Sequence, residues 1–284
     1  YARERLQGRG VGTRGGLPIP ILDHPDVRRM ILQQKSYSEG AIALCLFCAQ
    51  LVDQGGEEAE ALLALLTPVA KSWPSEFGLI ANDLAIQVHG GYGYTRDFDV
   101  EQLWRDNRLN PIHEGTTGIQ AIDLLGRKIL LADGRSMEVL RGRIAATISR
   151  AEGIADLALP GSRLAAFWTM IENVVERLRV RPGSAAFDDA TLFLRAFGHG
   201  IVAWLWLDQA LRMRELDQPH MQDAIQVGCA FFFESELPSA EAWLHIVDGH
   251  SELARSAPDN AFAWCACQLV KTAGLAPRAG NSPL

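Results

Sequence analysis

The 284-residue sequence is short of three kinds of signal. Alternating apolar and polar residues, which indicate β-strands, are scarce. No apolar run reaches the roughly 18–20 residues that a membrane-spanning helix needs. The five cysteines are an odd number without the spacing of a disulfide framework. These absences predict a helical protein with free thiols, no membrane span and a cytoplasmic location.

Positive charge is limited as well. The net charge is −7, and neither half of the chain is basic enough to predict binding to nucleic acid. The N-terminus is the exception, because Arg3, Arg5, Arg9 and Arg14 are accompanied there only by Glu4. Such a cluster is typical of a solvated face, and a phosphate site is the alternative.

Cysteines and histidines do not have the spacing of metal ligands in this sequence, so no metal is predicted. Two cysteine pairs lie in apolar helical runs and are interpreted as buried core thiols: Cys45 with Cys48, and Cys265 with Cys267. The histidines of the second half are interpreted as core or surface residues: His199, His220, His245 and His250.

Apolar residues recur at the helical period along most of the chain. The first predicted helix starts near Asp23, a candidate cap, with Pro25 in its first turn. The second runs from about Glu57 to Val88 and is expected to be kinked or broken near Pro68 and Pro74. The apolar stripe of the first helix is predicted to contain these residues: Val27, Ile31, Ile42, Leu46 and Leu51.

The fold class that this pattern predicts is all-α, with two helical bundles in series. The segment LADG at 131–134 is a natural boundary, so the domains are expected at residues 1–132 and 133–272. Residues 273–284 are expected to form a disordered tail. The second domain is expected to contain helices at about 135–157, 161–180, 186–216, 219–234, 238–254 and 258–271.

One stretch carries more polar and flexible residues than a helical bundle needs: QVHGGYGYTRDFDVEQLWRDNRLNPIHEGTTGIQ, residues 87–120. The glycines of HGGYGYT predict a loop that allows close approach to a planar or anionic ligand. A short helix is expected from about Asp99 to Leu109, capped by Asp97 or Asp99. Another helix is expected to open at Thr116 or Thr117, whose hydroxyls and amides suit a phosphate.

Glu114 lies in HEGTT, just before that last helix. By composition alone it is a solvent-exposed capping carboxylate. Beside a bound ligand it is placed to act as a general base. The residues alone do not name the ligand.

Three blocks in this order, YARERLQGR, QVHGGYGYTRDFDVEQLWRDNRL and IHEGTTGIQ, resemble the C-terminal part of the flavin-dependent acyl-CoA dehydrogenases. The resemblance covers residues 1–130. It is greatest to the larger branch that includes the 3-methylmercaptopropionyl-CoA dehydrogenases, in which a further helical domain follows. It implies a four-helix bundle, then a second bundle.

The resemblance implies that Glu114 is the catalytic base, which removes the α-proton of an acyl-CoA thioester while the flavin accepts a hydride from the β-carbon. The backbone N–H of Glu114 is expected to polarise the thioester carbonyl, and Gly115 is expected at the substrate. The product is a trans-2-enoyl-CoA. This is a reaction of fatty acid metabolism. The residue before the base, often Tyr in the family, is His113 here.

The same resemblance assigns FAD-binding residues. Arg5 and Gln7 match a motif that reaches the FAD of a neighbouring subunit, although the family usually has Phe in place of Gln7. Thr116 and Gly118 match residues near the phosphates of the subunit's own flavin. A loop at the adenosine and pyrophosphate end is matched by Gln87, Val88, His89, Gly90 and Gly91.

The resemblance further implies a homodimer or tetramer and electron-transfer flavoprotein as electron acceptor. The opening YARERLQGRG is typical of a helix that began earlier, so we expect a longer enzyme whose other domains cover the flavin. On that expectation this chain alone is inactive and lacks FAD. Two alternatives are a non-catalytic helical interaction module, and the alkylation-response flavoprotein branch that binds DNA.

Overall fold

The computed structural model describes residues 1–12, 14–216 and 218–262. Within those ranges there is no β-strand, only an isolated bridge between Leu6 and Pro20. The predicted all-α class is therefore confirmed. The α-helices are α1 (Pro25–Gln54), α2 (Glu57–His89), α3 (Val100–Asn107), α4 (Thr117–Ile122), α5 (Arg135–Glu152), α6 (Ala158–Val180), α7 (Ala190–Met213), α8 (Pro219–Phe231), α9 (Leu237–Gly249) and α10 (Leu253–Ser256).

Helix α1 begins at Pro25, whose fixed φ suits the first helical position. The predicted cap was wrong: Asp23 lies in a preceding 3-10 turn, and His24 occupies the cap position without a side-chain bond. The helix ends at Gly55, which has φ 61°. Glycine adopts that left-handed backbone without the steric cost that other residues meet.

Helix α2 passes through Pro68 and Pro74, so of the predicted kink or break the break does not occur. Each proline removes a backbone hydrogen bond at a cost of about 3 kcal/mol. Leu65, Val69 and Trp73 are at most 1% exposed on the same helix. Packing of that face against the core outweighs the local cost of the prolines.

The stripe predicted for α1 was right at Leu51 and wrong at Ile42 and Leu46. Ile42 and Leu46 are 58% and 65% exposed, whereas Leu44 and Leu51 are buried. Cys45 lies on the exposed face too, so its interpretation as a core thiol was wrong. Apolar residues occur on both faces of α1, so periodicity alone does not select the face that packs.

One hydrophobic core runs from α1 and α2 through α5 to α9, and residues Tyr1–His250 form one compact unit. Helix α7 is its centre, packed by α1, α6, α8 and α9. The stretch Gly183–Met213 is long and apolar enough to cross a membrane, but 83% of its most apolar window is buried inside the protein. The domain division at 132/133 stays a prediction.

A second unit comprises Ser251–Leu284. Its described part contains α10 and a 3-10 turn at Asp259–Phe262. Most of the predicted helix 258–271 lies outside the described residues, as do Cys265, Cys267 and the predicted tail at 273–284.

Candidate active site

The glycine-rich segment after α2 is a 3-10 helix, Gly90–Tyr94, and not the loop that the sequence predicts. Gly90 has φ 62°. Gly93 packs so closely on the preceding turn that a Cβ atom there would lie 2.6 Å from the carbonyl oxygen of Ile86. The glycines thus allow a tight turn at the end of α2.

The N-terminal segment lies against this turn. The Tyr1 ring stacks on His89 with centroids 4.3 Å apart, and the Tyr1 hydroxyl donates to the His89 carbonyl at 3.1 Å. The Arg5 guanidinium lies over the Tyr92 ring at 5.5 Å. The structure therefore brings Arg5 to the Gln87–Gly91 segment, as the assignment of both to one ligand requires.

Gln7 is fixed through its backbone. Its N–H donates to the Ile19 carbonyl at 2.9 Å, and its carbonyl lies 2.7 Å from Nε2 of His24. Its side chain is exposed beside this turn, so it is free to reach a partner molecule.

A chain of amide hydrogen bonds fixes the turn that leads to Glu114. Asn107 Nδ2 donates to Oδ1 of Asn82 in α2 (2.8 Å), and Asn110 Nδ2 donates to Oδ1 of Asn107 (2.7 Å). His113 Nε2 lies 3.1 Å from Oδ1 of Asn110. Lys71 donates to the Asn110 carbonyl at 2.5 Å. The exposed turn is therefore attached to α2 at several points.

Glu114 is exposed and has φ 52°, a backbone conformation that is uncommon outside glycine. Its carbonyl accepts from Gln120 Nε2 at 3.3 Å. Its own N–H has no acceptor among the described residues. Strained residues of this kind cluster at functional sites. Gly115 follows with φ 94°.

The predicted side-chain caps in this region are absent. Thr116 occupies the cap position of α4 and Asp99 that of α3, and neither side chain bonds the helix. Asp97 accepts instead from the Thr95 hydroxyl. The hydroxyls of Thr116 and Thr117 have no partner among the described residues, so both remain available to a ligand.

A cavity of about 540 Å³ opens beside the Glu114 loop. Its lining includes Pro111, Ile112 and the segment Thr116–Gly118, which flank Glu114 in the sequence. Glu114 itself does not line the cavity, but it belongs to the loop that joins these two lining segments. Arg108 adds a cation to the lining, and its side chain has no ionic or hydrogen-bonding partner in the described part of the chain.

Two cavity residues come from the second half of the chain, and the sequence analysis named neither of them as a site residue. Arg195 of α7 makes a two-point ion pair with Glu76 (3.2 and 2.9 Å), which raises the pKa of Arg195. Trp243 of α9 forms another part of the wall. Both lie in helices more than 75 residues beyond Glu114, and no motif marks them.

The two groups of proposed site residues do not meet in one chain. The cavity contains Leu79 and Ile80, whereas the glycine-rich turn begins ten residues further along α2. At 1.5 Å per residue the helix separates them by about 15 Å. The cavity and the glycine-rich turn beside Arg5 therefore lie at different positions along α2.

Comparison with known proteins identifies the family. Residues 11–130 match the family model "Acyl-CoA dehydrogenase, C-terminal domain", and residues 140–257 match "Acetyl-CoA dehydrogenase C-terminal like". Together the two models match most of the chain. The chain therefore belongs to the acyl-CoA dehydrogenase family.

Two curated relatives show how far the similarity extends. The chain is 42% identical over 154 residues to 3-methylmercaptopropionyl-CoA dehydrogenase of Ruegeria pomeroyi, which is 52% of this chain and 26% of the relative. It is 32% identical over 231 residues to the broad-specificity linear acyl-CoA dehydrogenase FadE5 of Mycobacterium tuberculosis, which is 74% and 38%. The chain thus spans between a quarter and two fifths of these relatives.

A solved structure shares the fold. The acyl-CoA dehydrogenase of Bacillus anthracis, complexed with FAD, aligns with a TM-score of 0.65 at 17% identity, over 100% of this chain and 49% of that one. The helical architecture is therefore that of the C-terminal part of such a protein.

Proposed function

We propose that this chain is the base-carrying part of a FAD-dependent acyl-CoA dehydrogenase, which converts an acyl-CoA thioester to the trans-2-enoyl-CoA. The observation that carries the proposal is the Glu114 loop. Glu114 has a left-handed backbone and an exposed carboxylate, its N–H has no acceptor among the described residues, and the segments on either side of it line a cavity of about 540 Å³.

In this proposal the Glu114 carboxylate takes the proton from the α-carbon. The free N–H of Glu114 donates to the thioester carbonyl and stabilises the negative charge that develops there. The amide chain through Asn107 and Asn110 holds the loop at one geometry, which such a donor needs.

Bound FAD would supply the acceptor for the hydride that leaves the β-carbon as the double bond forms. The residues present fit this cofactor, because in the described part of the chain neither the hydroxyls of Thr116 and Thr117 nor the cation of Arg108 has a partner, and all three residues line the same cavity. Arg5 and the His89–Gly91 turn form a second place for part of a FAD, which we assign to a neighbouring subunit. A homodimer or tetramer, electron-transfer flavoprotein as acceptor and a cytoplasmic location belong to the same proposal.

The test is Glu114→Gln in the complete protein. Loss of a general base lowers a rate by about 10² to 10⁴, so flavin reduction after anaerobic mixing with acyl-CoA should slow at least that much, followed by absorbance. Glu138→Gln removes an exposed carboxylate of α5 and serves as the control. Flavin reduction at the wild-type rate in the Glu114 variant would refute the assignment. A wild-type protein that reduces no flavin with any acyl-CoA would favour a non-catalytic module.

A further inference from the structure

The cavity beside Glu114 has one wall from the first half of the chain and another from the second. The first wall consists of the middle of α2 and the segments that flank Glu114. The opposite contribution comes from Arg195 in α7 and Trp243 in α9. Helices α7 and α9, which complete the lining of the cavity, therefore belong to the part of the chain that follows the glutamate motif.

The lining has the composition of a ligand site. Its volume of about 540 Å³ falls in the range of small-molecule pockets, roughly 300–1,000 Å³. Apolar side chains form most of it, including Phe77, Ile80 and Ile112. The charges of Glu76 and Arg195 compensate each other in an ion pair, so that pair adds no net charge to the lining.

Trp243 is the large side chain of this wall that remains incompletely packed. It is partly exposed, and its indole N–H has no acceptor among the described residues. A tryptophan that packs in a core usually finds a partner for that group. An uncovered indole that lines an apolar cavity is therefore available for contact with a ligand.

The core fixes the position of this indole. The Trp243 ring meets His199 edge-on at 5.0 Å and Phe77 at 6.2 Å. His199 in turn accepts a hydrogen bond at Nδ1 from the Trp73 indole, 3.0 Å away. Because these supporting residues are at most 3% exposed, the wall at Trp243 has little freedom to retreat from a ligand.

We propose that Trp243 is a specificity-determining residue, which contacts the acyl group of the thioester and limits the length of chain that the cavity accepts. This inference rests on the proposed function, because it takes the α-carbon to lie at Glu114. An alkyl or aryl group fits the uncharged part of the lining. The second helical segment then helps to select the substrate.

The experiment uses the complete protein and non-reactive thioether analogues of acyl-CoA, so that binding is measured without turnover. Trp243→Leu and Trp243→Ala are compared with Phe47→Leu, which removes a partly buried aromatic ring of α1 far from the cavity. Isothermal titration gives Kd for an acetyl, a butyryl, an octanoyl and a dodecanoyl analogue.

We expect a chain-length-dependent effect. The Trp243 variants should bind the octanoyl analogue about tenfold more weakly, on the scale of lost contacts in an apolar pocket. The acetyl analogue, too short to reach the indole, should bind as to wild type. The dodecanoyl analogue should lose the least affinity or gain affinity, because the smaller side chain at position 243 leaves more room for a long acyl chain. Phe47→Leu should leave all four values unchanged.

Three outcomes would overturn the inference: equal Kd values in wild type and both Trp243 variants, an equal loss for all four chain lengths, or weaker FAD retention with an unchanged chain-length profile. Each of these can occur while Glu114→Gln abolishes flavin reduction, in which case the proposed function stands and only the role of Trp243 fails. If Glu114→Gln keeps the wild-type rate while the Trp243 variants show the expected binding profile, the role of Glu114 as the base is refuted and the cavity remains the proposed acyl-binding site.

Discussion

Polar side chains stabilise two parts of this protein in different ways. Under the Glu114 loop they form a partly exposed series from Asn82 to His113, in which each group bonds the next. In the core they are sealed: Glu236 is 5% exposed and accepts from the Tyr37 hydroxyl, and His199 is fully buried. The series under the loop fixes the geometry of the Glu114 turn at little cost, whereas burial of the core groups shifts their pKa values.

The pKa shifts follow that division. Burial raises the pKa of Glu236 and, more strongly, that of the Tyr37 hydroxyl, and it lowers the pKa of His199 to about 3. The difference predicts that changes in the core act on folding and changes in the loop act on the reaction. Each of the following variants tests one side of it.

The largest effect is expected from Trp206→Ala. The ring is fully buried, and a Cβ atom at Gly228 would lie 2.6 Å from it. Loss of such a side chain costs about 3–5 kcal/mol of the free energy of unfolding. Tyr94→Ala, at 86% exposure, should change it by less than about 0.5 kcal/mol. Urea unfolding measures both, and a loss under about 1 kcal/mol for Trp206→Ala would contradict the tight packing.

Two glycines in helices differ in how closely other residues pack against them. Gly198→Ala places a methyl group 2.6 Å from Cδ1 of Trp73, and we expect a loss of about 1–3 kcal/mol. Gly142→Ala meets nothing within 4 Å and should add about 0.4–1 kcal/mol by restricting the unfolded chain. Thermal unfolding of the two variants gives the signs. If both variants are more stable than wild type, the Trp73 ring moves to accommodate the added methyl group at position 198.

The sequence predicted these two regions unequally. It predicted the all-α class and the Glu114 motif, because helical period and a dense local motif are both readable within a few turns. It wrongly predicted that Ile42 and Leu46 belong to the packed face of α1, and it allowed for a break in α2 near Pro68. Tertiary packing decides both features. It missed Trp243, since no local signal tells which of many apolar residues in a helix borders a cavity formed by distant segments.

The buried His199 predicts acid sensitivity. Its pKa falls from the ordinary 6.5 to about 3 in the folded protein. Between those values the unfolded chain binds a proton that the folded protein excludes, so stability is full above pH 6.5 and falls as the pH decreases. One such group contributes up to about 1.4 kcal/mol per pH unit.

His199→Phe tests this contribution. The variant leaves the Trp73 N–H without its acceptor, so it is expected to be less stable at every pH. Its free energy of unfolding should, however, fall less steeply between about pH 6 and pH 5 than that of wild type, by up to about 1.4 kcal/mol. Chemical denaturation at the two pH values gives the slopes. Parallel slopes would mean that His199 is protonated in the folded state.

A smaller effect on folding than that of Trp206→Ala is expected from Asn107→Ala in the series under the Glu114 loop. The change removes the bond to Asn82 and the acceptor for Asn110, and exposed bonds of this kind contribute about 0.5–1.5 kcal/mol. The turn that holds Glu114 would then lose its attachment to α2 through α3.

A displacement of about 1 Å at a reacting group can lower a rate by roughly 10², so flavin reduction in the complete protein should fall by at least tenfold while stability changes little. Gln102→Ala, on the same helix and exposed, is the control and should change neither. If Asn107→Ala keeps the wild-type rate, the amide series serves only to close the turn, and the loop geometry that the proposed base requires must be held by Lys71 and Gln120 alone.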